Sequence, residues 1–300
     1  MARISLGALA RVIPWYTLPI SAIFGQTTCW ICLIVFWASG NTSKDECLKI
    51  CSQDDNCDRC DLGVPFFSMT GNTRPAYYVF ATGLTLAGVG GYFGLQKLIH
   101  VQSQFAREAG LQVDSLCCDR NCCGEKCMAC CLCRFEIKPL LCAVSPLSLI
   151  VGLSLPVVGI VNYDMSMGVH NLAAFFFFIS LSVVHVCLTA LQREEIIRYP
   201  ELSLQRLNIS FTSWRYRGKI FAILVLLCIG ITSEAVVLTD PKLWLNYVGP
   251  LAQWSAILVI LSTSVYHGLD AREWDNNTTA STEMPPMVND GERGEELSST

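Results

Sequence analysis

Charged residues are scarce in this chain of 300 residues. Asp, Glu, Lys and Arg make up 15% of the sequence and hydrophobic residues 52%, whereas about a quarter of the residues in a soluble domain are charged. This scarcity excludes an ordinary water-soluble globular domain. The formal net charge of −4 says little about partners, because the acidic residues concentrate in the first outer loop and the tail. No nucleic-acid partner is expected.

The sequence also lacks the common signatures of catalysis and transport. It contains no Walker loop, dinucleotide-binding glycine fingerprint, nucleophile elbow or zinc-protease helix. Charged residues do not line several apolar segments as they do in a proton-coupled carrier, no inverted repeat is evident, and no segment has the polar stripe of a pore. We therefore expect neither an enzyme nor a transporter, and no cofactor.

Six apolar windows fill much of the chain instead. Each is close to the ~20 residues that an α-helix needs to span ~30 Å of hydrocarbon. The predicted fold class is therefore all-α, a six-helix transmembrane bundle within residues 1–270, followed by a disordered acidic tail at 271–300. The windows lie at residues 15–38, 77–99, 139–161, 170–190, 219–238 and 248–268.

Glycine is concentrated in the second window. Gly88, Gly90, Gly91 and Gly94 lie within seven positions. Small residues in a transmembrane helix let a neighbouring helix approach closely. We predict that this helix packs against others through its glycines.

The basic residues predict the orientation. Fifteen Lys and Arg fall in the termini and in the loops after the second and fourth windows, and five fall in the other loops. Because basic loops stay in the cytoplasm, both termini are predicted to be cytoplasmic. The first window follows Arg3 and Arg11 as a signal peptide would, but it exceeds the ~7–15 apolar residues of a signal segment, so we interpret it as a retained anchor.

The first outer loop is rich in cysteine and acidic residues. If the chain enters the secretory route, this loop faces an oxidising compartment, where two disulfides are expected. Three pairings are compatible with the sequence. Asn41 begins a glycosylation sequon on the same side of the membrane. The cysteines concerned are Cys47, Cys51, Cys57 and Cys60.

The first inner loop contains eight cysteines within seventeen positions. Cytosolic thiols stay reduced, which argues against disulfides. Juxtamembrane cysteines are typical sites of S-palmitoylation, and the spacing of Cys127 and Cys130 also suits Zn²⁺. No His lies among them, so both interpretations stay open and no metal site is assigned. The eight are Cys117, Cys118, Cys122, Cys123, Cys127, Cys130, Cys131 and Cys133.

The second inner loop contains Tyr199-Pro200-Glu201-Leu202. This stretch resembles a tyrosine-based sorting signal, with Tyr199 and Leu202 as its two defining residues. It makes a clathrin adaptor a candidate partner. Pro200 could equally mark a simple loop turn.

A few polar residues fall at membrane depth, where each costs energy and is a functional candidate. His170, Asn171, Glu234 and Gln253 lie near the outer interface, and His185 lies deeper. A luminal pocket lined by His170, Glu234 and Gln253 would place a His beside a Glu for acid–base work. The simpler interpretation is that these residues reach water or cap helix ends.

Three stretches resemble motifs of one membrane-protein family. The first is Val64-Pro65-Phe66-Phe67-Ser68-Met69-Thr70-Gly71, followed by Arg74-Pro75 ahead of the second helix. The second is Asn162 with Val169-His170-Asn171-Leu172-Ala173-Ala174, at the start of the fourth helix. The third is Gln253-Trp254 in the sixth helix.

Together these stretches resemble the damage-regulated autophagy modulator (DRAM) family. Its wider superfamily includes a GPI-anchor lipid-remodelling protein and a plasma-membrane scaffold for phosphatidylinositol 4-kinase. The resemblance covers about residues 14–272. Met69 and Gln253 stand where the motifs have Asp and Glu.

The resemblance implies a non-enzymatic, multi-pass regulator of autophagy in lysosomes or endosomes, with membrane lipids and a membrane protein as partners. The alternative that it implies is a lipid-handling protein. Such a protein would act in GPI-anchor remodelling in the Golgi or organise a lipid kinase at the plasma membrane.

Overall fold

The computed structural model describes residues 10–38, 70–71, 74–110, 137–161, 165–240 and 247–283. Six helices in these residues are long and apolar enough to cross a membrane, which confirms the all-α, six-helix prediction. The short helix α5 lies between the fourth and fifth of them. The helices are α1 Thr17–Ala38, α2 Ala76–Glu108, α3 Ile137–Ile160, α4 Met167–Arg198, α5 Pro200–Leu207, α6 Trp214–Thr239 and α7 Gly249–Glu283.

Helix α2 packs between α1 and α3, and glycine makes both contacts close. A methyl group added at Gly94 would lie 2.6 Å from the Leu18 Cα of α1, and one at Gly88 would lie 2.6 Å from the Pro156 Cδ of α3. Side chains at these two positions would therefore push the helices apart. This confirms the prediction that the glycine-rich segment is a packing surface.

Three helices continue beyond the predicted windows. Helix α2 ends at Glu108, α4 at Arg198 and α7 at Glu283, whereas the windows end at residues 99, 190 and 268. Hydropathy stops at the first charged residues, but the helices go on because their extensions bury side chains against one another. Phe105 of α2 and Leu191 of α4 are completely buried.

The extension of α7 also corrects the predicted tail. Residues 271–283 were expected to be disordered, yet they form the last turns of α7. Trp274 is only 5% exposed, Asp275 forms a 2.9 Å ion pair with Lys97 of α2, and Arg206 of α5 donates to the Asn277 carbonyl. These contacts provide the burial that the acidic composition did not predict.

Helix α6 is attached to the bundle differently from the other spans. Only 6% of its apolar window is buried, against 33–50% for the others. Its buried residues are Arg215, Tyr216, Lys219 and Ala222, all within its first three turns. The rest of α6 presents apolar side chains to the surroundings. Its position therefore depends on contacts near its N-terminus.

Substitution of two neighbouring glycines of α2 tests the packing. Gly94→Ala is expected to destabilise the bundle by about 1–3 kcal/mol, because the new methyl group meets the α1 backbone. Gly91 has no atom within 4 Å of its added methyl group, so Gly91→Ala should gain up to about 1 kcal/mol from helix propensity. Thermal unfolding in one detergent compares the two. Equal effects of the two substitutions would contradict the close packing at Gly94.

Candidate functional site

One end of the bundle, here called the His170 end, is formed where α3 ends and α4 begins. Ser166 caps α4 by accepting a hydrogen bond from the Val169 N–H, at 3.5 Å. One turn on, the Nδ1–H of the buried His170 donates to the Val161 carbonyl, at 2.7 Å. The Tyr77 hydroxyl of α2 donates to the adjacent Ile160 carbonyl, at 2.9 Å. Two side chains thus satisfy carbonyls at the end of α3 that the helix itself leaves open.

A cavity lies beside His170. It has about 40 Å³ open to the centre of a water molecule, and His170 and Gln253 are the polar side chains in a lining that is otherwise apolar apart from Cys29. That space exceeds the ~10–15 Å³ that one water requires. The structure therefore brings together two of the four outer polar residues that the sequence singled out.

The other two outer candidates lie elsewhere. Asn171 is exposed on the first turns of α4, and Glu234 is exposed on the second half of α6. Neither lines the cavity. The structure thus does not form the expected acid–base pocket, because Glu234 is on the helix that stands furthest out from the bundle.

The opposite end of the bundle contains a buried group of polar side chains, here called the Asp270 cluster. It consists of Gln192 on α4, Arg215 and Lys219 on α6, and Asp270 and Glu273 on α7. Lys219 is completely buried and Asp270 is 2% exposed. Charged groups at such depth are expensive unless they are paired.

Asp270 is the centre of this cluster. Lys219 donates a hydrogen bond to Asp270 Oδ2, and Gln192 Nε2 donates to the same oxygen at 2.7 Å. Lys219 also donates to Gln192 Oε1 at 2.6 Å, and Arg215 Nε lies 3.2 Å from Asp270 Oδ1. One carboxylate thus joins side chains from α4, α6 and α7.

Arg215 extends the cluster to α5. Its NH2 group donates to the carbonyls of Leu207 and Asn208 at 2.8 and 3.0 Å, and its NH1 group lies 3.3 Å from Glu273 Oε1. Asn208 caps α5 in the left-handed conformation, with φ of 49°. Arg215 therefore fixes the turn between α5 and α6 as well as the contact between α6 and α7.

Two buried histidines lie next to the cluster. The rings of His185 on α4 and His267 on α7 are parallel to within 2°, with centroids 5.3 Å apart. His185 Nε2 is 3.1 Å from the hydroxyl of Ser264. The remaining nitrogens, His185 Nδ1 and His267 Nε2, have no hydrogen bond to the part of the chain that the structure describes.

Glu195 completes the polar region at this end. It lies one turn after Gln192, is completely buried, and interacts electrostatically with Asp270 and Lys219. Gln102 of α2 lies beside it. Neither carboxylate oxygen of Glu195 nor Gln102 Oε1 forms a hydrogen bond of regular geometry with the described residues.

Sequence reasoning missed the Asp270 cluster because each charged residue stood at the edge of an apolar window. Lys219 was the first residue of a window, and Glu195 and Asp270 lay just past two others. The prediction that charged residues do not line several apolar segments is therefore wrong for this end of the bundle. A helical pattern was present: Arg215 and Lys219 are four residues apart and His267 and Asp270 three, so each pair shares one helix face.

The remaining sequence candidates fall into two groups. The cysteines of both loops, together with Asn41, lie outside the described residues. Tyr199 and Leu202 are described, and they are half-buried at the junction of α4 and α5. The Tyr199 ring makes an edge contact with Phe105, with centroids 6.4 Å apart, and Leu202 lies within helix α5. In this conformation the proposed sorting signal is folded against the bundle.

No protein-family model, curated protein or solved structure matches this chain. Within the described ranges, no group of three His, Cys, Asp or Glu side chains is placed to hold a metal ion. The six apolar helices make the chain an integral membrane protein of the multi-pass helical class. Its distinguishing features are the cavity at the His170 end and the buried charges at the opposite end.

Removal of the central carboxylate tests the Asp270 cluster. Asp270→Asn is expected to cost about 3–5 kcal/mol of stability, because it leaves Lys219 buried without its counter-charge. The double variant Asp270→Asn with Lys219→Met removes both charges and should recover most of that loss. Thermal unfolding in detergent compares the single and double variants. Equal losses in both would show that the two side chains are not energetically coupled.

Two substitutions at Tyr199 separate packing from sorting. Tyr199→Phe keeps the ring against Phe105 and removes the hydroxyl, whereas Tyr199→Ala removes both. Since the structure packs this ring, Tyr199→Ala should lower the yield of folded protein and Tyr199→Phe should leave yield and location unchanged. Imaging and size-exclusion chromatography measure these outcomes. Relocation of Tyr199→Phe with unchanged folding would instead favour recognition by a clathrin adaptor.

Proposed function

We propose that this protein is a non-enzymatic, multi-pass membrane regulator that acts in autophagy in the endolysosomal system. The proposal extends the resemblance to the DRAM family. The observation that supports it most is the position of the residues that carry this resemblance. They come from three separate stretches of sequence, and the described ones lie at the same end of the bundle.

The first and third stretches meet around Phe80. Thr70 is buried, and Gly71 lies so close to the Phe80 ring that an added methyl group would overlap it. Trp254 of the third stretch belongs to the same hydrophobic cluster as Phe80. Trp254 also packs on Trp30 of α1, with ring centroids 5.3 Å apart.

The second and third stretches meet at the cavity, where His170 and Gln253 both form part of the lining. His170 holds the α3–α4 turn at Val161 while it faces this space. A single structural site requires that residues distant in sequence lie next to one another in space. The described residues of the three stretches thus lie together, which supports the proposal that a regulatory partner or lipid acts at this end of the bundle.

A lipid-handling role is the second candidate, and the chemistry of the same cavity favours it. Its lining is mostly aliphatic and aromatic, with His170 and Gln253 as the two hydrogen-bonding side chains. Ligand sites commonly combine an apolar wall with a few polar groups. A small polar group flanked by apolar carbons, such as part of a lipid headgroup, would find both kinds of partner here.

Location and autophagic flux distinguish the two candidates. A tagged chain is expected to overlap endolysosomal markers, and its removal should change autophagic flux, which re-expression of the wild-type chain should restore. Imaging against endolysosomal, Golgi and plasma-membrane markers, together with a flux assay, measures both properties. Golgi residence with altered release of GPI-anchored proteins would favour the lipid-remodelling role. Plasma-membrane residence that depends on the eight inner-loop cysteines would favour the scaffold role. Either location, combined with unchanged autophagic flux, would contradict the proposed role in autophagy.

A further inference from the structure

Glu195 is buried without the hydrogen bonds that an ionised carboxylate requires. The side chain is inaccessible to solvent, and neither oxygen has a donor of regular geometry among the described residues. Gln102, its neighbour from α2, is also buried and presents an amide oxygen that has no donor. Both oxygens of Glu195 and the amide oxygen of Gln102 therefore have no donor of regular geometry among the described residues, although the Gln102 amide lies beside the carboxyl group.

The charges of this region also leave Glu195 without a counter-charge. Asp270 and Glu273 already pair with the two cations of the cluster, Arg215 and Lys219. The hydrogen bonds of Lys219 go to Asp270 and Gln192 and not to Glu195. An ionised Glu195 would thus be a third carboxylate for two cations. A buried carboxylate in that situation is unfavourable, and binding a positive charge relieves it.

We propose that Glu195 is a proton-binding site, a buried carboxylic acid whose O–H donates to Gln102 Oε1. The added hydrogen supplies a donor to Gln102 Oε1 and removes the excess negative charge. Loss of the proton would place a second negative charge beside Asp270, between α2 and α4. The packing of these helices is therefore coupled to protonation.

Among the described residues, the ion-paired cations around Glu195 have other carboxylates as partners. On α4, the neighbouring Glu194 pairs with Arg193 and Arg198. On α2, Lys97 pairs with Asp275, and Glu108 pairs with Arg206 of α5. Residues 140–160 of α3 contain no Asp, Glu, His, Lys or Arg. The titratable groups in the cluster or beside it are His185 on α4, Arg215 and Lys219 on α6, and His267, Asp270 and Glu273 on α7.

A proton fits this site better than a metal ion. In the described segments, no three His, Cys, Asp or Glu side chains converge as metal ligands. Glu195 has one neutral amide beside it rather than several oxygen ligands. One hydrogen between a carboxyl oxygen and an amide oxygen gives both of those oxygens a partner and removes the negative charge.

Infrared spectroscopy of the full chain in nanodiscs tests the proposal. At neutral pH, the wild-type protein should show the C=O stretching band of a protonated carboxylic acid. Glu195→Gln should lose this band, and Glu194→Gln, which removes the ion-paired neighbour on the same helix, should keep it. A wild-type spectrum without the band, or a band that persists in Glu195→Gln, would overturn the assignment.

Two further measurements keep the test decisive. Gln102→Leu removes the acceptor of the O–H, so it should shift the wild-type band to higher frequency, and this result does not require that Glu195→Gln folds. Replacing choline chloride by NaCl or KCl at constant ionic strength should leave the band unchanged. A band unmoved in Gln102→Leu contradicts the proposed hydrogen bond, and a band removed by Na⁺ or K⁺ would show a cation site in place of a proton site.

Discussion

The carboxylate of Asp270 is the interaction on which the arrangement of the second half of the chain depends. It accepts hydrogen bonds from Lys219 and Gln192 and pairs with Arg215, so it joins α4, α6 and α7. The dependence is greatest for α6, whose buried residues all lie in its first three turns. Because lipid provides no strong hydrophobic driving force for helix association, buried polar contacts contribute strongly to the position of such a helix.

The two ends of the bundle are built with different chemistry. At the His170 end, neutral groups satisfy helix carbonyls and line a mostly apolar cavity. At the other end, charged groups of α6 and α7 are buried and paired, and two stacked histidines and Glu195 adjoin them. The first end is therefore largely neutral, whereas the second concentrates buried charge.

The sequence predicts the spans well because hydropathy is a local property. The six apolar windows correspond to six long helices, and the glycines around Gly88 and Gly94 identify the packing face of α2. Helix ends are less predictable. Glu283 ends α7 far beyond its window, because the burial of Trp274 and the pairing of Asp275 depend on residues of other helices.

The polar sites are even harder to predict from the sequence than the helix ends are. His170 and Gln253 could be identified from sequence because each interrupts an apolar window, and they do meet at one cavity. Glu234 interrupts a window in the same way but faces outward, since hydropathy does not define which face of α6 packs. Lys219, Glu195 and Asp270 sit at window edges, where a charge ordinarily meets water. Only the three-dimensional packing of the extended helices buries them together.

The central claim is that the Asp270 cluster holds α6 against α7, and a distance measurement tests it directly. Because the chain contains 17 cysteines, genetically encoded spin labels would replace Leu227 of α6 and Leu258 of α7, which are exposed on their helices. Double electron–electron resonance in nanodiscs should give a narrow distance distribution with the intact cluster and a broad one when Lys219→Met is added. Equally narrow distributions in both proteins would show that other contacts position α6, and would contradict the account.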